Sequence, residues 1–126
     1  MHRSFVYARL GALIAAGPAC VPAALAHAYL SRAVPAVGST VSTPPTEIDC
    51  SFTEDLEPSF STLEVQDASG KRVDSGNMHI SPRDAKEMII GVGHLGPGTY
   101  KVVWHAVSVD THHTQGDFKF TVKSGK

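Results

Sequence analysis

Residues 96–122 read GPGTYKVVWHAVSVDTHHTQGDFKFTV, and they contain the two segments that decide the fold. The first segment follows a Gly-Pro-Gly turn and has one apolar face, formed by Tyr100, Val102, Trp104 and Ala106. The second follows a polar turn, and its apolar face is formed by Phe118, Phe120 and Val122. Because side chains alternate between the two faces of a β-strand, this spacing predicts two half-buried strands joined by the turn.

Shorter segments with strand character lie upstream of this pair. They occupy residues 29–34, 47–53, 63–66 and 88–92, and a weak strand begins at Val73. The stretch from Ser75 to Lys86 is polar and irregular, which predicts a loop, and no window sustains the apolar period of a helix. Short strands at near-regular spacing predict an all-β Greek-key sandwich or barrel, immunoglobulin-like, with about seven strands.

The first 26 residues have the composition of a secretory signal peptide. Arg3 and Arg9 supply a basic start, residues 10–25 are mostly apolar, and Ala24-Leu25-Ala26 has the small-x-small pattern of a cleavage site. A membrane anchor is the alternative, but the apolar run is shorter than the roughly 20 residues that a spanning helix needs. The prediction is therefore secretion, with residues 27–126 forming one mature domain.

The mature domain has a modest negative charge and one cysteine. Removing Arg3 and Arg9 from a chain of formal charge −1 leaves −3 for residues 27–126, which gives no basic face for nucleic acid. Cys50 is the one cysteine in this range, so no disulfide framework is possible. It shares strand parity with Ile48, which predicts a small buried side chain and not a metal ligand.

The turn between the two long strands concentrates possible metal ligands. Asp110 and His112 lie two residues apart, so in an extended segment their side chains fall on the same side. The alternative is that Asp110 caps the turn and that His112 is only exposed. Elsewhere, the alternation in the strand predicts that His105 lies on the sheet face opposite Trp104. The glycine-rich turn predicts that His94 is exposed to solvent.

Cleavage after residue 26 would give His27 a free α-amine beside its imidazole. An α-amine has a pKa of about 8 in model peptides, so a metal can displace its proton at neutral pH. With a nitrogen of His112 and an oxygen of Asp110, the N,O set favours tetragonal Cu(II) over the tetrahedral site that zinc prefers. Glu54 stands at a strand end, where its carboxylate could reach the metal or be solvated.

Taken together, these motifs resemble the CopC family of periplasmic copper-binding proteins over essentially all of residues 27–126. The combination is specific: an N-terminal histidine, and Ser-x-Asp-x-His ahead of a last strand with Gly-x-Phe-x-Phe. The residues that carry the resemblance are Ala26-His27-Ala28, Phe52-Thr53-Glu54-Asp55-Leu56, Gly98-Thr99-Tyr100-Lys101-Val102-Val103-Trp104, Ser108-Val109-Asp110-Thr111-His112, Gly116, Phe118 and Phe120.

The resemblance implies a Cu(II) site formed by His27, Asp110 and His112, with Glu54 at a position that supplies an auxiliary carboxylate in some relatives. It implies a periplasmic carrier or buffer in copper resistance or homeostasis. We expect a monomer that passes copper to an inner-membrane transporter of the CopD type, without catalysing a reaction.

One departure from the family concerns soft ligands. Some CopC-like proteins carry a methionine-rich loop that binds Cu(I), whereas the corresponding region here offers only Met78, His79 and Met88. We therefore expect one Cu(II) site and no strong Cu(I) site.

Two other classes of function remain open at the level of sequence. An amine–imidazole unit with a second imidazole also forms the copper brace of polysaccharide monooxygenases, but residues 27–126 leave little room for a flat aromatic substrate surface. A metal-free adhesion or chaperone-type sandwich would leave His27 and Asp110 without a purpose.

Overall fold

The computed structural model describes residues 27–124, which form eight β-strands and no helix. The strands are β1 (Leu30–Val34), β2 (Thr40–Val41), β3 (Glu47–Phe52), β4 (Thr62–Gln66), β5 (His79–Ile80), β6 (Glu87–Gly91), β7 (Gly98–Val107) and β8 (His113–Val122). Over these same residues, no helix is long and apolar enough to cross a membrane. The predicted signal peptide, residues 1–26, lies outside the described residues and stays a prediction.

The strands form two four-stranded sheets packed face to face. The first sheet has the order β1-β3-β6-β5, and the second has the order β2-β8-β7-β4. All neighbouring strands are antiparallel except β2 and β8, which run parallel. The predicted all-β sandwich is confirmed, with eight strands where the sequence predicted about seven.

Two local predictions upstream of β7 are wrong. The predicted loop 75–86 contains β5, whose two residues pair with Ile89 and Met88 of β6. A strand of two residues has no measurable period, so alternation could not reveal it. Val73 does not begin a strand: its neighbours Arg72 and Asp74 form only isolated bridges, to Gln66 and Val92.

The core lies between the sheets and is centred on β7 and β8. These strands pair in continuous register from Gly98↔Val122 to Val107↔His113. Their inner faces are buried as the alternation predicted. The aromatic contacts are an edge-to-face pair of Phe52 and Trp104, with ring centroids 5.1 Å apart, and a stacked pair of Tyr100 and Phe120 at 5.6 Å.

Trp104 occupies space that a side chain at Gly116 would need. The two residues are direct cross-strand partners on the inner face. A Cβ placed on Gly116 would lie 2.6 Å from the Cζ2 atom of the indole. The absence of a side chain at residue 116 therefore allows the only tryptophan in the sequence to pack closely against β8 at this position.

Gly116→Ala should lower the free energy of unfolding by about 1–3 kcal/mol, because the added methyl group overpacks the core against the indole. Gly93→Ala is the matched control, since a Cβ at Gly93 meets nothing within 4 Å. Urea denaturation of both variants measures the difference. Equal midpoints for the two variants would contradict this account of Trp104 packing.

Candidate metal centre

The turn between β7 and β8 is organised by the buried hydroxyl of Ser108. Ser108 is 1% exposed, and its hydroxyl donates a short hydrogen bond to the Oδ1 atom of Asp110. The hydroxyl oxygen of Ser108 also accepts a hydrogen bond from the backbone N–H of His112 at 3.3 Å. The backbone N–H of Ser108 in turn donates to the carbonyl of His112 at 3.1 Å. One side chain thus holds both candidate ligands of the turn.

Thr111 gives the turn its sharp reversal. Its φ of +74° lies in the left-handed region, which a β-branched residue rarely adopts and which costs about 1–3 kcal/mol. Its N–H donates to the carbonyl of Ser108 at 2.8 Å. With this backbone conformation, the Nδ1 atom of His112 lies 3.3 Å from the Oδ1 atom of Asp110. Both predicted ligands therefore lie on the same side of the turn.

The segment after β3 forms backbone hydrogen bonds with the turn between β7 and β8. The N–H of Val109 donates to the carbonyl of Asp55 at 3.1 Å, and the N–H of Glu57 donates to the carbonyl of Val107 at 2.7 Å. Leu56 forms an isolated bridge with Ser108 and is 3% exposed. These backbone hydrogen bonds fix the position of the turn relative to the segment that follows β3.

Two threonines fix the segment that begins at His27. The hydroxyl of Thr53 donates to the carbonyl of His27 at 3.1 Å and accepts from the N–H of Tyr29 at 2.9 Å. The hydroxyl of Thr114, on β8, donates to the carbonyl of Ala28. Ala28 is fully buried. Residues 27–29 therefore lie against both sheets.

This arrangement brings His27 next to His112, although the two are far apart in the sequence. Their ring centroids are 4.7 Å apart with an interplanar angle of 46°, and the Nδ1 atom of His27 lies 3.3 Å from the hydroxyl oxygen of Tyr29. His27, His112 and Asp110 thus form a continuous group at one end of the sandwich. The side chains of His112 and Asp110 are 42% and 47% exposed, so an ion can reach them from solvent.

The carboxylate of Asp110 is kept ionised by its neighbours. The hydrogen bond from Ser108 lowers the pKa of Asp110 most strongly, burial opposes it, and the hydrogen bond and charge of His112 lower the pKa further. A carboxylate that stays ionised is ready to bind a cation without first losing a proton.

Glu54 is half-buried and follows Thr53 directly. Over residues 27–124, its carboxylate makes no hydrogen bond or ion pair with His27, Asp110 or His112. The same residues include no group of three or more His, Cys, Asp or Glu that could hold a metal as positioned. The side chains of His27, Asp110 and His112 therefore lie near one another without being arranged around a single ion. The α-amine of the predicted set is, in the 126-residue chain, an amide bonded to Ala26.

The possible soft ligands lie on and beside β5 and β6, away from the turn between β7 and β8. Met88 is fully buried in the core, and Met78 packs against the core from its edge. His79 is exposed on β5, opposite Ile89 of β6. Burial raises the pKa of the Cys50 thiol to about 12, and the side chain is inaccessible, as predicted.

The hydroxyls of Ser108, Thr53 and Thr114 were not assigned a role from the sequence. Ser108 and Thr53 both stand inside the motifs that carry the resemblance, yet spacing alone gives no reason to connect them with the ligands. The bonds that they make depend on the register of β7 against β8 and on the path of the chain after β3.

The fold and this group of side chains define a small β-sandwich with an imidazole–carboxylate cluster at one end. Residues 30–123 match the family model of the CopC domain, and the chain belongs to the CopC family. It is 35% identical to Protein YobA of Escherichia coli K12 over 103 residues, covering 81% of this chain and 83% of YobA. It is 36% identical to copper resistance protein C of Xanthomonas campestris pv. juglandis over 106 residues, covering 79% and 83%.

Solved structures show the same similarity. CopC from Methylosinus trichosporium OB3b superposes with a TM-score of 0.74 at 27% identity, covering 79% of this chain and 97% of that structure. PcoC, a methionine-rich copper resistance protein from Escherichia coli, superposes with a TM-score of 0.67 at 36% identity, covering 78% and 100%. The chain is therefore a copper-related protein of the CopC family.

Ser108→Ala should raise the pKa of Asp110 towards its ordinary value, because it removes the strongest contribution to the lowered pKa. A lowered folded-state pKa stabilises the fold above the unfolded pKa, and this stabilisation is lost as the pH falls through the folded pKa. The variant should therefore lose less stability on acidification. Carboxyl chemical shifts in a pH titration measure the change.

The carboxylate of Asp67 is an internal control in the same titration. Hydrogen bonds from Ser69 and Lys71 lower the pKa of Asp67, and none of them involves Ser108. An unchanged pKa at Asp110, or an equal rise at Asp67, would show that Ser108 does not hold the carboxylate.

Proposed function

We propose that the mature protein begins at His27 and binds one Cu(II) through the amine and imidazole of His27, the imidazole of His112 and the carboxylate of Asp110. It then acts as a periplasmic copper buffer or carrier. The observation that carries this proposal is the contiguity of the three residues, with 4.7 Å between the two imidazole centroids and 3.3 Å between His112 and Asp110.

The names of the relatives support a role in copper handling. Copper resistance protein C of Xanthomonas campestris is named for resistance. The chain is also 29% identical over 98 residues to the copper transport protein CutJ of Bacillus subtilis, but it covers only 18% of that protein. CutJ therefore supports a role in copper handling only for the domain that it shares with this chain.

Nitrogen and oxygen donors favour the oxidised ion. Imidazole, amine and carboxylate ligands suit Cu(II), whereas Cu(I) prefers thioether and thiolate sulfur. The α-amine and the imidazole of His27 belong to the same residue, so binding through both closes a chelate ring. This loses less conformational entropy than binding through two ligands from separate residues. Glu54 directly follows Thr53, which bonds to His27, and we propose Glu54 as an auxiliary carboxylate only.

The exposure of the site favours transfer over a catalysed reaction. Asp110 and His112 are nearly half exposed, so a competing ligand can approach the metal and take it. We propose delivery to an inner-membrane transporter of the CopD type from a monomeric carrier. Oxidation of chitin or cellulose by the copper-loaded protein with peroxide would instead indicate a monooxygenase.

Asp110→Ala and His112→Ala should each weaken Cu(II) binding by more than about tenfold, since removing a charged or strongly bonded ligand costs upwards of 1.4 kcal/mol. The protein is expressed with its own leader and purified from the periplasm, and competition against a chelator gives the affinity. His105→Ala is the matched control, because His105 is exposed on β7 outside the cluster. Wild-type affinity in either test variant would disprove the ligand set.

A glycine inserted before His27 should change both the affinity and the ligand-field spectrum of bound Cu(II). The insertion keeps every side chain but converts the α-amine of His27 into an amide, which holds its proton near neutral pH. Mass spectrometry first establishes that wild type starts at His27 and that the variant starts at the glycine. A different wild-type terminus, or an identical spectrum and affinity in both proteins, would exclude the amine as a ligand.

A further inference from the structure

Residues 27–29 precede the first strand and have no sheet partners of their own, yet they carry a candidate ligand. After cleavage they would be the end of the chain, and chain ends fray unless they are tied down. The structure holds the carbonyls of His27 and Ala28 through the hydroxyls of Thr53 and Thr114, and it holds Tyr29 through Thr53.

Thr53 makes the more complete attachment. Its hydroxyl bridges the segment by donating to the carbonyl of His27 at 3.1 Å and accepting from the N–H of Tyr29 at 2.9 Å. Its own N–H donates to the carbonyl of Tyr29 at 2.9 Å. The two hydroxyl bonds fix the peptide groups on both sides of Ala28, so the Cα of His27 has a defined position above His112.

We propose that Thr53 is a positioning residue for copper: its hydroxyl holds the N-terminal segment so that His27 faces His112 before the metal arrives. This inference rests on the proposed function of the cluster. Thr53 need not touch the ion. It lowers the conformational freedom that His27 must lose on binding, and preorganisation of this kind raises affinity without adding a ligand.

Thr53 lies outside the core, so its effect on copper binding can be tested separately from an effect on folding. Thr53 is exposed and follows the last residue of β3, Phe52, which is the residue that enters the core. Valine has nearly the same shape as threonine, so Thr53→Val removes the hydroxyl bonds and keeps the backbone bond to Tyr29. Thr53→Ser restores a hydroxyl without the methyl group.

The experiment compares Thr53→Val, Thr53→Ser and wild type as periplasmic proteins with a free His27 terminus. Thr53→Val should weaken Cu(II) binding by about 3- to 30-fold, as expected for one or two net hydrogen bonds. Thr53→Ser should recover most of the loss. The spectrum of fully loaded Cu(II) protein should stay that of wild type in both variants, because every ligand is retained.

A second readout needs no copper. In the metal-free protein, amide hydrogen exchange at Tyr29 should be faster in Thr53→Val than in wild type, since that N–H loses its acceptor. Thr99→Val is the matched control. Its hydroxyl also bonds a neighbouring side chain, Thr121, but it lies at the opposite end of β7, so neither copper affinity nor exchange at Tyr29 should change.

Three results would overturn the proposal. Wild-type affinity in Thr53→Val, with Asp110→Ala still impaired, would exclude Thr53 as a positioning residue and leave the proposed ligand set standing. Wild-type affinity in Thr53→Val and Asp110→Ala together would reject the proposed copper site itself. A fall in thermal midpoint of Thr53→Val that matches the loss of affinity, without recovery in Thr53→Ser, would assign Thr53 to folding alone.

Discussion

The pairing of β7 with β8 is the constraint on which the rest of this structure depends. The ladder runs unbroken through ten cross-strand pairs, and it can do so only because Gly116 leaves room for the indole of Trp104. Its inner face supplies much of the core, and its end sets where the turn from Ser108 to His112 begins. A shift of register by one residue would turn Trp104 outward and move the candidate ligands of the turn to the other face.

The segment from Thr53 to Glu57 connects the two halves of the candidate site. At one end, Thr53 holds residues 27–29. At the other end, Asp55 and Glu57 bond to the backbone on either side of Ser108. This gives a physical reason for the Phe-Thr-Glu-Asp-Leu motif. Phe52 and Leu56 are buried in the sandwich, and the bonds made by Thr53 and by the backbone of Asp55 position His27 relative to the turn.

Sequence reasoning succeeded where the signal was periodic. β3, β4, β7 and β8 alternate clearly, and their inner faces are buried as predicted, whereas the two-residue strands β2 and β5 have no period to detect. Asp110 and His112 lie in one turn, so their proximity was predictable from spacing. The approach of His27 depends on tertiary structure and was expected only through the chemistry of a free terminus and the resemblance to CopC. The hydroxyl bonds of Ser108 and Thr53 depend on register, which no local pattern specifies.

The Cu(II) site that we propose agrees with the distribution of donor atoms between core and surface. Among the described residues, the sulfur atoms of Cys50 and Met88 are sealed between the sheets, and Met78 packs against the same core. The imidazole and carboxylate groups of His27, His112 and Asp110 meet at an open end of the sandwich. Under the proposed function, a copper ion that arrives from solvent meets nitrogen and oxygen donors first, and these are the donors that suit Cu(II). Cys50 and Met88 could offer sulfur to Cu(I) only if the core opened, which would disrupt the packing between the two sheets.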